Sequence, residues 1–243
     1  MMDSRDAPKF FVRLWMEGLV IVVSILAAFL LDAWWADRGS RIELAQEVAN
    51  VRSELQQSRQ RVELEIEKLD RIAAGGDQIR QLMDADPDAP TVIVPDSLAW
   101  LATVWAPTLD VSLGAVDALI ASGRLAQIGN PELRSGLAGI KGYFEDAVSC
   151  EEKATGVLYD FLYPEVFGKI DLRPVYQIEE ENVRERRYSA GVELPSHATV
   201  AYPNNLAIRN SIMDRTSWLR SGKDSMQVLM AQLDRLIALT SEQ

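Results

Sequence analysis

The chain has 243 residues, a formal net charge of −11, and 48% hydrophobic and 25% charged residues. This composition is typical of a folded protein, and the length suffices for one domain with or without a membrane anchor. The acidic balance argues against nucleic acid as a partner, because binding to phosphate requires clustered lysine and arginine. A single cysteine, Cys150, excludes an internal disulfide framework and a cysteine-based zinc site.

The first element along the chain is an apolar stretch, MEGLVIVVSILAAFLLDAWW, at residues 16–35. Its uninterrupted run of apolar or small residues, 18–31, is too short alone for a hydrocarbon layer of about 30 Å. Widened to residues 10–36, the segment reaches the length of a transmembrane helix. We therefore predict a tail at residues 1–9 and a membrane anchor at residues 10–36.

Tryptophan residues stand at both ends of this segment, Trp15 at one and Trp34 and Trp35 at the other. A helix rises about 28 Å between positions 15 and 34, and indole rings prefer the headgroup levels of a bilayer. The spacing predicts an aromatic belt at both interfaces. A cleaved signal peptide does not fit, because a tryptophan three residues before Asp37 is unsuitable for a cleavage site.

The polar and small residues of the anchor suggest two roles. Arg13 and Glu17 are four residues apart and are expected to pair near one interface; the alternative is that Glu17 takes part in ion movement. Ser24 and Ala28 lie on the helix face that begins at Glu17, and small residues at this spacing allow another membrane helix to approach.

Basic residues set the expected orientation. They are slightly more frequent before the span than after it: Arg5, Lys9 and Arg13 against Arg38 and Arg41. The positive-inside rule then favours a cytoplasmic N-terminus. Residues 40–243 are expected on the other side, which in a Gram-negative bacterial inner membrane is the periplasm.

A long helix is predicted at residues 40–83 from two heptad columns. The columns are Val48, Leu55, Val62, Leu69, Gly76 and Met83, and Leu44, Val51, Ser58, Glu65, Ile72 and Ile79. Ser58, Glu65 and Gly76 interrupt this seam, which favours a bundle helix over a free-standing coiled coil. The pair Gly75 and Gly76 also predicts a kink.

Shorter helices follow. Asp96 or Ser97 is expected to cap one that contains Trp100, and Ser112 to cap the next. The sequence Asn130-Pro131-Glu132 then opens a longer helix, predicted to run to about residue 163 with Phe161 facing inward.

The remainder contains a proline-rich segment, 164–203, which we predict to be an irregular excursion. Asn204 or Asn205 is expected to cap the last helix. The resulting fold is all-α: a transmembrane helix followed by a long-helix bundle at residues 37–243, with short accessory helices.

Three stretches together resemble a group of uncharacterised small bacterial proteins with one N-terminal span and a helical domain. They are MEGLVIVVSILAAFLLDAWW, RIELAQEVANVRSEL and DALIASGRLAQIGNPELRSGLAGI, the last at residues 117–140. The resemblance covers most of the chain, and its ASGRLAQIGNPELR part is the most specific. It implies a bacterial membrane-anchored helical domain without assigned catalytic residues.

Sequence motifs for chemistry are scarce. His197 is the only histidine, so no His-pair metal site is expected, and we predict no catalytic residue, cofactor or metal. Arg124 and Arg134 flank a predicted helix start, and Arg184 and Arg186 lie in the run EEENVRERRY. These four arginines are candidates for binding a small anion. We favour the alternatives, in which the first pair serves turn chemistry and the second lies on a solvated helix face.

The sequence therefore favours a non-enzymatic, single-pass membrane protein whose helical domain takes part in interaction or assembly. Its expected partners are the lipid bilayer and either a second copy of the chain or another membrane protein. The alternatives are a sensory or anion-binding ectodomain, and an accessory subunit of an ion-driven complex that uses Glu17.

Overall fold

A computed structural model describes the backbone of residues 7–185, 194 and 196–241, and the side chains of residues 15–180, 194 and 196–241. Within these ranges the chain is all-α with a small two-stranded sheet, which agrees with the predicted fold class. The chain divides into two units, residues 1–49 and 50–243, which are described separately.

The elements in chain order are α1 (Ala7–Ala85), β1 (Thr91–Pro95), α2 (Asp96–Thr103), α3 (Gly114–Ala121), α4 (Pro131–Val157), α5 (Tyr163–Val166), α6 (Arg173–Glu185), β2 (Thr199–Pro203) and α7 (Leu206–Thr240). A 3-10 helix, Arg124–Gln127, precedes α4, and a π-helical turn, Leu158–Leu162, follows it. Helix α1 contributes residues to both units.

In the first unit, α1 exposes apolar side chains in every direction around its axis. The large hydrophobic side chains from Leu19 to Leu31 are between 51% and 72% exposed. The most apolar window of the helix has a mean hydropathy of 2.3, and none of it is buried. This helix is therefore long and apolar enough to cross a membrane, whereas the core helix of a soluble domain would be mostly covered by protein.

In the second unit, the rest of α1 packs in a bundle in which α4 lies along α7. The apolar seam predicted from the heptads is buried throughout this unit: Val51, Leu55, Val62, Leu69, Ile72, Ile79 and Met83. The polar residues that interrupt the seam, Ser58 and Glu65, are buried as well. Polar groups thus lie inside the core, where each requires a hydrogen-bonding partner.

The two glycines expected to kink α1 lie in close contact with neighbouring helices. Helix α1 continues through both positions. A Cβ atom at Gly76 would lie 2.5 Å from Oγ1 of Thr216 on α7, and one at Gly75 would lie 3.1 Å from Cβ of Leu101 on α2. The missing side chains therefore allow α2 and α7 to approach α1 closely.

The segment expected to be irregular, residues 164–203, differs from that expectation. It contains α6 and also β2, which pairs antiparallel with β1 from Thr91–Pro203 to Pro95–Thr199. Val200 and Tyr202 point from β2 into the core. The strand is short and its partner lies about a hundred residues earlier, so a local pattern does not reveal it.

The end of α4 also differs from the expected register. The π-helical turn at residues 158–162 inserts an additional residue into the helical repeat. As a result Leu158 and Leu162 are buried, whereas Phe161, expected to face inward, is 60% exposed.

Helix α4 begins where the sequence Asn130-Pro131-Glu132 predicted, and its first turn allows a prediction about stability. Oδ1 of Asn130 accepts hydrogen bonds from the backbone N–H groups of Glu132, at 2.9 Å, and Leu133, at 3.3 Å. Replacing Asn130 with alanine leaves both groups without this acceptor and should lower the free energy of unfolding by about 1 kcal/mol. Urea unfolding of the detergent-solubilised chain measures the change. Asn130→Ser keeps an acceptor and is the control; equal loss in both variants would contradict a capping role.

Candidate functional site

The structure describes two of the four arginines proposed to bind an anion. Nη1 of Arg134 donates to the carbonyl oxygens of Ile128 and, at 3.4 Å, Gly129, so this guanidinium stabilises the turn before α4. Arg124 is half-buried in the 3-10 helix and also interacts with another residue. The side chain of Arg184 and the whole of Arg186 lie outside the described residues. Neither of the two clefts described in the second unit is lined by Arg124 or Arg134.

The aromatic residues of the predicted anchor are exposed. Trp15 is 77% exposed, and the rings of Trp34 and Trp35 stack with their centroids 5.3 Å apart. The guanidinium of Arg38 lies 5.7 Å from the centroid of the Trp34 ring. An apolar ring beside a cation is the combination found at a membrane–water interface.

In the predicted small-residue stripe, the hydroxyl group of Ser24 is hydrogen-bonded within its own helix and does not point outward. The Ser24 hydroxyl donates to the carbonyl oxygen of Val20 at 2.8 Å, within its own helix. Ser24, Ala28 and Glu17 are all exposed, and Glu17 interacts with another residue. The side chain of Arg13, its expected partner, lies outside the described residues.

In the second unit, charged side chains from three long helices converge on the loop between α2 and α3, residues 104–113, which we name the central loop. From α1, Glu54 accepts hydrogen bonds from the backbone N–H groups of Ala115, at 2.9 Å, and Val116, at 3.2 Å. Glu54 therefore caps α3. The hydroxyl of Ser112, the residue expected in this role, accepts only a long hydrogen bond from the backbone N–H of Gly114, at 3.4 Å. Nη1 of Arg61 donates to the carbonyl oxygen of Asp110 at 3.0 Å.

Beneath the central loop lie two buried carboxylates, Glu65 on α1 and Glu151 on α4. They are 3% and 4% exposed. Oε2 of Glu151 accepts a hydrogen bond from the backbone N–H of Leu109 at 2.8 Å. Oε2 of Glu65 accepts one from Nζ of Lys68 at 2.7 Å. The second carboxylate oxygen of each glutamate has no partner among the described residues.

Burial strongly affects the protonation of this pair. Desolvation raises the pKa of Glu151 to about 7, with the nearby negative charge of Glu65 adding to the rise, while the Leu109 amide and Lys68 oppose it. Desolvation likewise raises the pKa of Glu65, against the effect of Lys68. Both buried carboxyl groups therefore hold their protons more tightly than exposed glutamates do.

At the start of the central loop, a buried arginine stabilises the C-terminal end of α2. Arg215 on α7 is 2% exposed and donates to the carbonyl oxygens of Leu101 at 3.2 Å, Ala102 at 2.5 Å, and Trp105. A cation at this end of a helix also interacts favourably with the helix dipole. Desolvation lowers the pKa of Arg215 to about 10, so the guanidinium stays charged at neutral pH.

A cleft of about 470 Å³ opens beside the central loop, between the loop and α4. Its floor is apolar and consists of buried or half-buried side chains: Leu109, Val111, Leu113, Phe144 and Val148. Exposed charged residues stand around it: Asp117, Lys141, Glu145 and Glu152. Neither the floor nor these charges were singled out from the sequence.

His197 and Asp96 meet at a structural contact. The backbone N–H groups of His197 and Ala198 donate to the Asp96 carboxylate, at 3.2 and 3.0 Å to its Oδ2 atom. The contact fastens the segment before β2 to the start of α2. Within the described ranges, no group of three or more His, Cys, Asp or Glu side chains has an arrangement that holds a metal ion.

Sequence reasoning missed Glu151 and Arg215, and it recognised Glu65 only as an interruption of the seam. A signal was present in each case. Arg215 lies between Ile212 and Leu219 at the spacing of the buried face of α7. A charged residue at an inward-facing position of an amphipathic helix indicates a buried polar contact, although it does not identify the partner.

Comparison of the chain with protein-family models, curated proteins and solved structures finds no match. The resemblance to small bacterial single-pass membrane proteins therefore stays a prediction from the sequence.

Proposed function

We propose that the chain is a single-pass membrane protein whose helical domain takes part in assembly, either with a second copy of itself or with another membrane protein, and performs no catalysis. The observation that carries the proposal is the exposed apolar surface of α1 between Leu19 and Leu31. Apolar side chains on all sides of a helix are stable in lipid, whereas their exposure to water is unfavourable.

Two further features support the anchor. Trp15 and the stacked pair Trp34 and Trp35 bracket the apolar surface at a separation that matches the hydrocarbon thickness. The basic residues favour a cytoplasmic N-terminus, and we place the helical domain in the periplasm of a bacterial inner membrane.

Assembly is supported by the stripe of Ser24 and Ala28. The Ser24 hydroxyl is satisfied within its own helix, so the stripe presents small, locally satisfied groups on which a second helix packs closely. The net negative charge of the chain also argues against nucleic acid as a partner.

Cysteine cross-linking in native membranes tests both parts of the proposal. In a Cys150→Ser background, we expect Ala28→Cys to form disulfide-linked dimers upon oxidation, whether homodimers or adducts with a partner. Leu30→Cys, which lies about 200° around the same helix, is the matched control and should cross-link much less. Equal cross-linking at both positions, or monomers at both, would contradict packing through the stripe.

The same membranes test the anchor itself. The protein should remain in the pellet after alkaline carbonate extraction, and its intact mass should include residues 1–36. A mature protein that begins after residue 36 would be a cleaved secreted protein and would overturn the proposal. A Ser40→Cys variant that reacts with a membrane-impermeant thiol reagent in cells with a permeabilised outer membrane would support the periplasmic placement.

A further inference from the structure

The cleft beside the central loop has the dimensions of a small-molecule site. Its volume of about 470 Å³ falls in the range of ligand pockets in proteins. Phe144 and Leu109 in its floor are 7% and 8% exposed, so the floor is part of the packed domain. The backbone N–H of Leu109 is fixed by Glu151 beneath it. The apolar surface is therefore formed before any ligand arrives.

The rim of the cleft is negatively charged and is not neutralised by the protein. It carries the carboxylates of Asp117, Glu145 and Glu152 against the single ammonium group of Lys141. None of these four side chains forms a hydrogen bond or ion pair with another residue in the part of the chain that the structure describes. A concave surface with a net negative charge raises the local concentration of cationic ligands.

Other carboxylates on the same domain contrast with this rim. Asp234, Asp77, Asp70 and Glu132 each pair with an arginine or lysine from another part of the chain. Asp146 and Asp224 are likewise exposed and have no ion pair in the described part of the chain, but they line neither of the clefts described in this unit. The rim therefore differs from them in bordering a concave apolar surface.

Helix geometry indicates where a cation would lie. Lys141 is one turn from Glu145 on α4, about 6 Å along the axis, but about 16 Å from Glu152. The lysine therefore offsets the field of Glu145 more than that of Glu152. The end of the cleft near Glu152 is the more favourable place for a positive charge, and Phe144 and Val148 offer an apolar surface nearby.

We propose that this cleft binds a small organic cation with an apolar body, such as an aromatic amine. Its ammonium group lies by Glu152, and its apolar body lies on Phe144 and Val148. This binding activity goes beyond assembly and does not depend on whether the chain forms a complex.

Calorimetric titration of the full-length protein in zwitterionic nanodiscs tests the proposal, with empty nanodiscs subtracted. The probes are tryptamine, tryptophol and indole-3-propionate, which share a ring and differ in charge. Tryptamine should bind with a dissociation constant on the order of 100 μM, tryptophol at least about tenfold more weakly, and the anion without measurable heat. Equal binding of the three indoles, or no binding of tryptamine at 5 mM, would overturn the proposal.

Variants distinguish binding in the cleft from non-specific attraction of a cation to an acidic protein. Glu152→Gln should weaken tryptamine binding by about two- to fivefold. Lys141→Gln should change it by much less, because Lys141 lies about 16 Å along the helix from Glu152 and salt screens exposed charges at that distance. Asp146→Asn removes the same charge from an exposed position of α4 outside the cleft and should change nothing. If all three variants bind alike, the site lies elsewhere. Circular dichroism verifies that each variant retains its helicity, so a loss of affinity confined to Glu152→Gln is not explained by misfolding.

Discussion

Replacing Arg215 with methionine should lower the free energy of unfolding of the chain by about 3 to 5 kcal/mol. The guanidinium donates to the carbonyl oxygens of Leu101, Ala102 and Trp105 in the interior. Methionine fills similar space but leaves these acceptors without their donor, and water does not reach them without opening the core. A buried arginine is itself costly to desolvate, so the loss arises mainly from the carbonyl groups left behind.

Urea unfolding of the detergent-solubilised chain, followed by circular dichroism, measures this effect. The matched control is Arg220→Met on the same helix. Arg220 is 59% exposed and pairs with Asp77 across the domain surface, and its loss should cost less than about 1 kcal/mol. Hydrogen exchange should also accelerate at the amides of Val104 and Trp105, which donate to the last turn of α2. Equal free energies for the two variants would contradict the capping role of Arg215.

Replacing Glu151 with glutamine should remove a large part of the pH dependence of stability between pH 4.5 and pH 7. In the folded protein, burial raises the pKa of Glu151 to about 7 from an ordinary value of 4.5. Across this interval the unfolded chain has lost the proton while the folded chain still holds it. The free energy of unfolding therefore falls as the pH rises from 4.5 to 7. Above pH 7, Glu151 causes no further change in it.

The size of the effect follows from the pKa difference. It corresponds to at most about 3 kcal/mol, since one pKa unit is 1.36 kcal/mol. At pH 8 the Glu151→Gln variant should be more stable than the native protein by up to that amount, and at pH 4 the two should be alike. Glutamine retains an oxygen that can accept the hydrogen bond from Leu109, so the loop contact persists.

Urea unfolding at a series of pH values measures this difference. Glu152→Gln, the adjacent but exposed carboxylate, is the control and should keep the native pH profile. A Glu151→Gln variant whose pH profile matches that of the native chain would show that the buried carboxylate is ionised at all these pH values or is neutralised by Lys68.

The sequence by itself determined the features that depend on near neighbours along the chain. The apolar segment before residue 36, the helix start at Asn130 and the buried seam of α1 all follow from periodicity or from a cap within a few residues. Such patterns can be recognised in a sequence because a helix brings together residues that are three and four positions apart. They established the all-α class and the membrane-compatible helix.

Only the tertiary structure decided the contacts between distant segments. The hydrogen bond from Leu109 to Glu151 joins residues 42 apart, and that from Arg215 to Leu101 joins residues 114 apart. The pairing of β1 with β2 and the cleft beside the central loop arise in the same way. A sequence records which side chains are charged or apolar. Which of them meet depends on how the helices pack, and at Glu151 and Arg215 that packing places charge in the core.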